Sequence, residues 1–193
     1  MIDEVLAFWF GPDPQQPSQA TMQRWFMRDA AFDAEIRSRF GELHAQAAAG
    51  KLADWLGSAR GELALVIVLD QFSRNLYRDD PRAFAQDGRA LAIARNLYFS
   101  DRIRELAPVQ RLFVLMPFEH AEDMAIQREC VAELEKLVAA SPGDKMLETG
   151  LDYAKRHAVI IERFGRFPHR NEVLGRESTP EERAFLEQPG SRF

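Results

Sequence analysis

Arg166 and Arg170 stand four residues apart within Arg163-Phe164-Gly165-Arg166-Phe167-Pro168-His169-Arg170-Asn171, just after the last long helical pattern. Arginine's planar fork suits carboxylates and phosphates. Phenylalanines among these charges mark a segment whose apolar residues plug into a fold while its polar groups converge. Leu69-Asp70-Gln71-Phe72-Ser73-Arg74-Asn75 and Met116-Pro117-Phe118-Glu119-His120-Ala121-Glu122-Asp123 have the same mixed character. The three are expected to meet. Arg74, Asn75, Arg166, Arg170 and Asn171 then become candidates for holding an anionic ligand. His120 and His169 become acid–base candidates, oriented by Asp123 or Asp70. Gln71, Glu119 and His157 are expected to orient the network.

Each of these residues also has a plainer reading. Asp70 and Arg74, at i and i+4, make an intrahelical ion pair of small value if exposed. Glu119, Glu122 and Asp123 suit the positive end of a helix restarting after Pro117. The arginines can equally clamp Asp70, Glu119 or Asp123 inside the protein. His120 and Asp123 lack the full ligand set of a metal site, so no metal is expected and no cofactor is implied. No phosphate-binding glycine loop, Ser-His-Asp order or zinc spacing occurs. His157 reads first as a core histidine, His44 as a surface one, and Cys130 as core or half-buried.

The elements that must position these residues read as helices throughout. Leu63 to Leu69 is apolar on every side. It is expected to be a central helix capped by Ser58, since no second strand candidate exists to pair with it. Ile2 to Phe10 is a short first helix, Met22 to Met27 part of a second, and Ala31 to Ala49 an amphipathic third ending at Gly50. Asp80-Pro81 opens a helix through Phe84 and Leu91 to about Phe99. Pro108 opens another, which Pro117 is expected to kink or end. Two long helices follow, about 122–140 and 146–164, and Thr179-Pro180-Glu181-Glu182 is a capping box. The expected fold is all-α, a single domain (residues 1–193) of antiparallel helix pairs. Trp9, Phe10, Trp25 and Phe26 fit the core or a dimer face, which leaves the oligomeric state open.

The totals bound the function. The chain has 193 residues, 46% hydrophobic and 28% charged, which suits one soluble globular domain. A net charge of -5 argues against nucleic acid, whose binders show a basic face. The apolar run at 63–69 is far short of the ~20 residues of a membrane helix. The lone cysteine and the absence of a basic, apolar leader suit the cytoplasm.

LDQFSRN (69–75), LMPFEHAED (115–123) and FGRFPHRN with LGREST (164–179) closely resemble one mainly bacterial family, classed as domain of unknown function 924. Order and spacing agree along nearly the whole chain. One departure is Ser73, where the family pattern usually has proline after LDQF. The resemblance implies an irregular tetratricopeptide-like helical superhelix, and no activity.

Three functional readings follow. The first is a pocket for an anionic small molecule, phosphate or carboxylate, with hydrolysis or elimination as the chemistry. The second is a tetratricopeptide-like interaction module that holds an acidic or C-terminal peptide. The third is a purely structural polar network.

Overall fold

Thirteen consecutive buried residues, Gly61 to Ser73, run through the middle of the computed structural model, which describes residues 1–191. They belong to one helical rod. Helix α4 (Ala59–Val66) begins at Ser58, whose hydroxyl accepts from the Gly61 amide, and passes through a π-helical turn (Ile67–Gln71) into α5 (Phe72–Leu76). Phe72 N–H donates to Ile67 O across the wide turn. With no polar face, such a rod is stable only if covered on every side. The cover comes from α1 (Ile2–Phe10), α3 (Ala30–Ala48), α6 (Asp87–Tyr98) and α7 (Pro108–Glu119).

The short α2 (Gln19–Phe26) closes one end with an aromatic cluster. Trp25 lies 4.8 Å from Phe113 between ring centroids, and its Nε1 donates to Trp9 O at 2.8 Å. Trp9, Phe10 and Trp25 are core, whereas Phe26 is 62% exposed. His44 is buried, which corrects the surface reading. Its Nε2 meets Ser73 Oγ at 2.8 Å, and Ser73 in turn donates to Leu69 O beside the π turn. The partner is 29 residues away, so nothing near His44 in the sequence announces it.

Consecutive helices then pack side by side: α6 on α7, α7 on α8 (Met124–Ala140), and α8 antiparallel to α9 (Lys145–Phe164). Among the described residues there is no strand, and no helix is long and apolar enough to cross a membrane. The fold is all-α.

Two boundaries differ from expectation. Asp80-Pro81 opens only a 3-10 turn, Pro81–Ala83, and α6 begins at Asp87. Helix α7 continues past Pro117 to Glu119, and α8 starts afresh at Met124 rather than at about residue 122. Asp123 is the cap, accepting from the Ala125 and Ile126 amides.

A strap follows α9. Gly165, at φ 68, supplies the left-handed residue that ends the helix. Residues 165–179 then return across the end of α7 before α10 (Pro180–Leu186), which carries its expected capping box. Fully buried Phe167 plugs the strap into the body. Charge pairs pin it on both sides. Arg166 grips Glu182 at 2.6 and 2.8 Å, and Arg176 grips Glu122 at 2.6 and 2.9 Å.

Candidate functional site

The π turn places Asp70 behind His120, which lines a cleft between α6, the end of α7 and the strap. Asp70 is fully buried and hydrogen-bonded on several sides. Oδ1 meets His120 Nδ1 at 2.8 Å and Arg74 Nη1 at 3.0 Å, and Oδ2 accepts from Gln71 Nε2 at 2.6 Å. Burial opposes its ionisation, but the Arg74 guanidinium and the His120 and Gln71 contacts outweigh it. The carboxyl is held well below the usual range. An ionised carboxylate only accepts, so His120 Nδ1 carries the proton and donates. The basic lone pair is therefore on Nε2. Burial and the Arg74 charge lower the His120 pKa against the pull of Asp70, which keeps the ring neutral at neutral pH.

Asp87, at the first turn of α6, joins the two arginines. Arg74 donates to its two oxygens at 3.0 and 3.1 Å, and Arg170 reaches it from the strap at 3.3 Å. Arg74 also donates to Asp70 O at 2.9 Å. Arg170 lies between two rings, 4.7 Å from the centroids of both Phe84 and Phe167, and its Nε is buried without a hydrogen-bond partner. Burial and the neighbouring Arg74 charge lower its pKa to about 10. The stacked rings fix the plane of a guanidinium that has spare donors.

Asp87, His120, Glu122 and Arg170 are the polar residues of the wall of this cleft, whose volume is about 400 Å³. Behind the wall, Glu119 Oε1 approaches His157 Nδ1, which also donates to Tyr153 O at 2.9 Å. Burial and the Asp70 charge push the Glu119 carboxyl up to about 8, and burial lowers His157 to about 3.

Asp70, Gln71, Arg74, His120 and Arg170 therefore converge, with Glu119 and His157 just behind them. The other candidates are engaged elsewhere. Asn75 donates to Asp33 at 2.8 Å, a carboxylate also held by Arg78. Arg166 serves Glu182 and Glu177 O. Asn171 donates to Ser178 at 3.0 Å and accepts from Arg176 at 2.9 Å. Asp123 is spent on capping α8. His169 packs against Phe167 at 5.6 Å, and burial and the Arg170 charge lower it to about 4.

Sequence reasoning did not single out Phe84 or Asp87 as part of the network, nor Glu122 with Arg176 as the clamp on the strap. Glu122 and Arg176 lie within the LMPFEHAED and LGREST segments, which was a usable signal. Asp87 stands in an ordinary helix start and carried none.

A helical bundle with a charge-lined cleft at one end is the class of protein the geometry defines. By family, the chain belongs to the bacterial proteins of unknown function known as DUF924, whose model matches residues 5–190. It is also similar to a solved structure of a protein of unknown function from Agrobacterium tumefaciens. The two are 37% identical over 96% of each chain, with a TM-score of 0.82. No curated protein matches it.

Proposed function

We propose that the cleft is an acid–base site for a small anionic molecule, a carboxylate or a phosphate, with His120 as the general base. The observation that carries this reading is the 2.8 Å contact between His120 Nδ1 and the buried, ionised Asp70, on a ring that forms part of the cleft wall. That contact fixes the tautomer and leaves Nε2 to take a proton from a bound water or a substrate carbon. Arg170, held flat between Phe84 and Phe167, supplies the charge that anchors the anion. Arg74 holds Asp70 and Asp87 in place and acts by positioning. Hydrolysis and elimination are the reaction classes that one oriented base and one fixed cation support. Burial of the lone Cys130 agrees with a reducing cytoplasm as the place of work.

The purely structural alternative is favoured at one place, the Arg166–Glu182 pair. That pair tethers α10 to the strap and lies apart from the cleft wall.

The test is long-range ¹H–¹⁵N NMR of the imidazole rings during titration with sodium phosphate and sodium acetate. The expected spectrum of His120 is that of the Nδ1–H tautomer, and the anion should shift its Nε2 resonance in the native chain but not in Arg170→Gln. Turnover of a panel of carboxylate and phosphate esters should disappear in His120→Gln. Unmoved His120 resonances at saturating concentrations of both anions would refute the site.

A further inference from the structure

We infer that the cleft selects a monocarboxylate with an apolar body, a short acyl or aryl acid, over phosphates and dicarboxylates. This rests on the reading of the cleft as an anion site and narrows its ligand.

The charge count supplies the first half of the argument. Arg74 spends Nη1 on Asp70 and Asp87 and Nη2 on Asp87. Arg176 spends its donors on Glu122, Asn171 Oδ1 and Phe167 O. Arg170 alone is under-used, with a single 3.3 Å bond to Asp87 and a buried Nε that has no partner. Two carboxylates, Asp87 and Glu122, stand in the same wall. Arg74 and Arg176 already neutralise these two, so a dianion entering here would find Arg170 as its one available cation and keep one charge uncompensated, which disfavours it at low local dielectric. A single carboxylate matches the arginine fork, and its second oxygen can accept from His120 once Nε2 takes up a proton.

The rest of the wall supplies the second half. Phe84, Leu91, Pro117 and Leu174 line the same cleft, joined by Ala85 and Ala121. A ligand that was all charge would leave these faces wet. An apolar body attached to the carboxylate covers them, and each buried methylene adds to affinity.

The experiment is calorimetric titration of the full chain with acetate, butyrate, hexanoate and phenylacetate, alongside inorganic phosphate and succinate. Affinity should rise roughly three- to fourfold per added methylene until the cleft is full, with phosphate and succinate weaker than butyrate. Two half-buried or loop positions serve as variants. Leu174→Ser should flatten the chain-length series. Ala121→Leu should exclude hexanoate and phenylacetate but admit acetate. Arg170→Gln should abolish binding of every acid. Phosphate or succinate binding more tightly than butyrate, with no gain along the series and with loss in Arg170→Gln, would overturn the ligand class and leave the anion site standing. A chain-length gain that survives Leu174→Ser and Ala121→Leu would also overturn it, since the apolar body would then lie elsewhere. No binding by any compound would overturn both.

Discussion

Glu119 Oε1 lies 3.0 Å from His157 Nδ1, in a buried pair whose members are both driven toward their neutral forms. A carboxyl raised to about 8 holds its proton in the folded state at a pH where the unfolded chain, near 4.5, has lost it. The folded state then binds more protons, so stability falls as pH rises from about 4.5 through 8. Glu119→Gln removes that titration. The variant should match the native chain near pH 5 and exceed it at pH 8.5, by about 2–4 kcal/mol. Urea midpoints measured across that range check this, and parallel curves would refute it.

The histidines give the opposite slope on the acid side. His157 is lowered to about 3 and His169 to about 4, against 6.5 unfolded. Below about 6.5 the unfolded chain takes up protons that these folded imidazoles refuse, so stability should drop as pH falls toward 4. Imidazole NMR at pH 5 should still show both rings neutral.

Removing the buried anion differs from removing its histidine partner. Asp70→Ala leaves Arg74 with Asp87 as its remaining carboxylate partner and strips His120 and Gln71 of their acceptor, and breaking this buried network should cost about 3–5 kcal/mol. At roughly 2–4 °C of melting temperature per kcal/mol, that is a large fall for a chain of this size. His120→Gln, at the cleft wall, should change the melting temperature by only a few degrees. A thermal melt of the two side by side tests the ranking.

Arg166→Ala should loosen α10 while sparing the cleft. Glu182 is nearly fully buried and loses two hydrogen bonds, keeping those from Thr179 N–H and Asn171. The loss should be about 1–3 kcal/mol. Faster amide exchange should be confined to α10 and the strap, with acetate binding retained. Loss of acetate binding with normal exchange would instead make Arg166 a ligand residue.

Much of this is legible in the sequence. Ser58 and the Thr179 box announced their helices, because capping is a local matter of one side chain and the next few amides. The unbroken apolar run at 63–69 could only be a covered helix once no strand partner existed. Asp70 and Arg74 paired by spacing alone. Long-range choices left weaker traces. Asp87 has no motif around it, yet it is the acceptor for arginines 13 and 83 residues away. The π turn was hidden because Ile67, Val68 and Leu69 continue the apolar run of α4 without a break, and nothing local marks the wider turn. Of the two roles the sequence allows Asp123, the helix start is the one it takes, and Asp70 is the carboxylate that meets His120; a capping aspartate and a functional one look alike until the helix start is known.

The strap that carries Arg170 also sets when the cleft exists. Asp87 emerges from the ribosome 83 residues ahead of the guanidinium that meets it, and Phe84 long precedes the second ring of its sandwich. At about 5–20 residues per second, the helices through α7 have seconds to pack with Asp70, Arg74 and Asp87 already together. The cleft, however, lacks its outer wall. A chain interrupted before the strap therefore has most of its core and lacks Arg170. A nascent chain that has not yet made residues 165–179 thus has the floor of the cleft without the wall that Arg170 and Leu174 form.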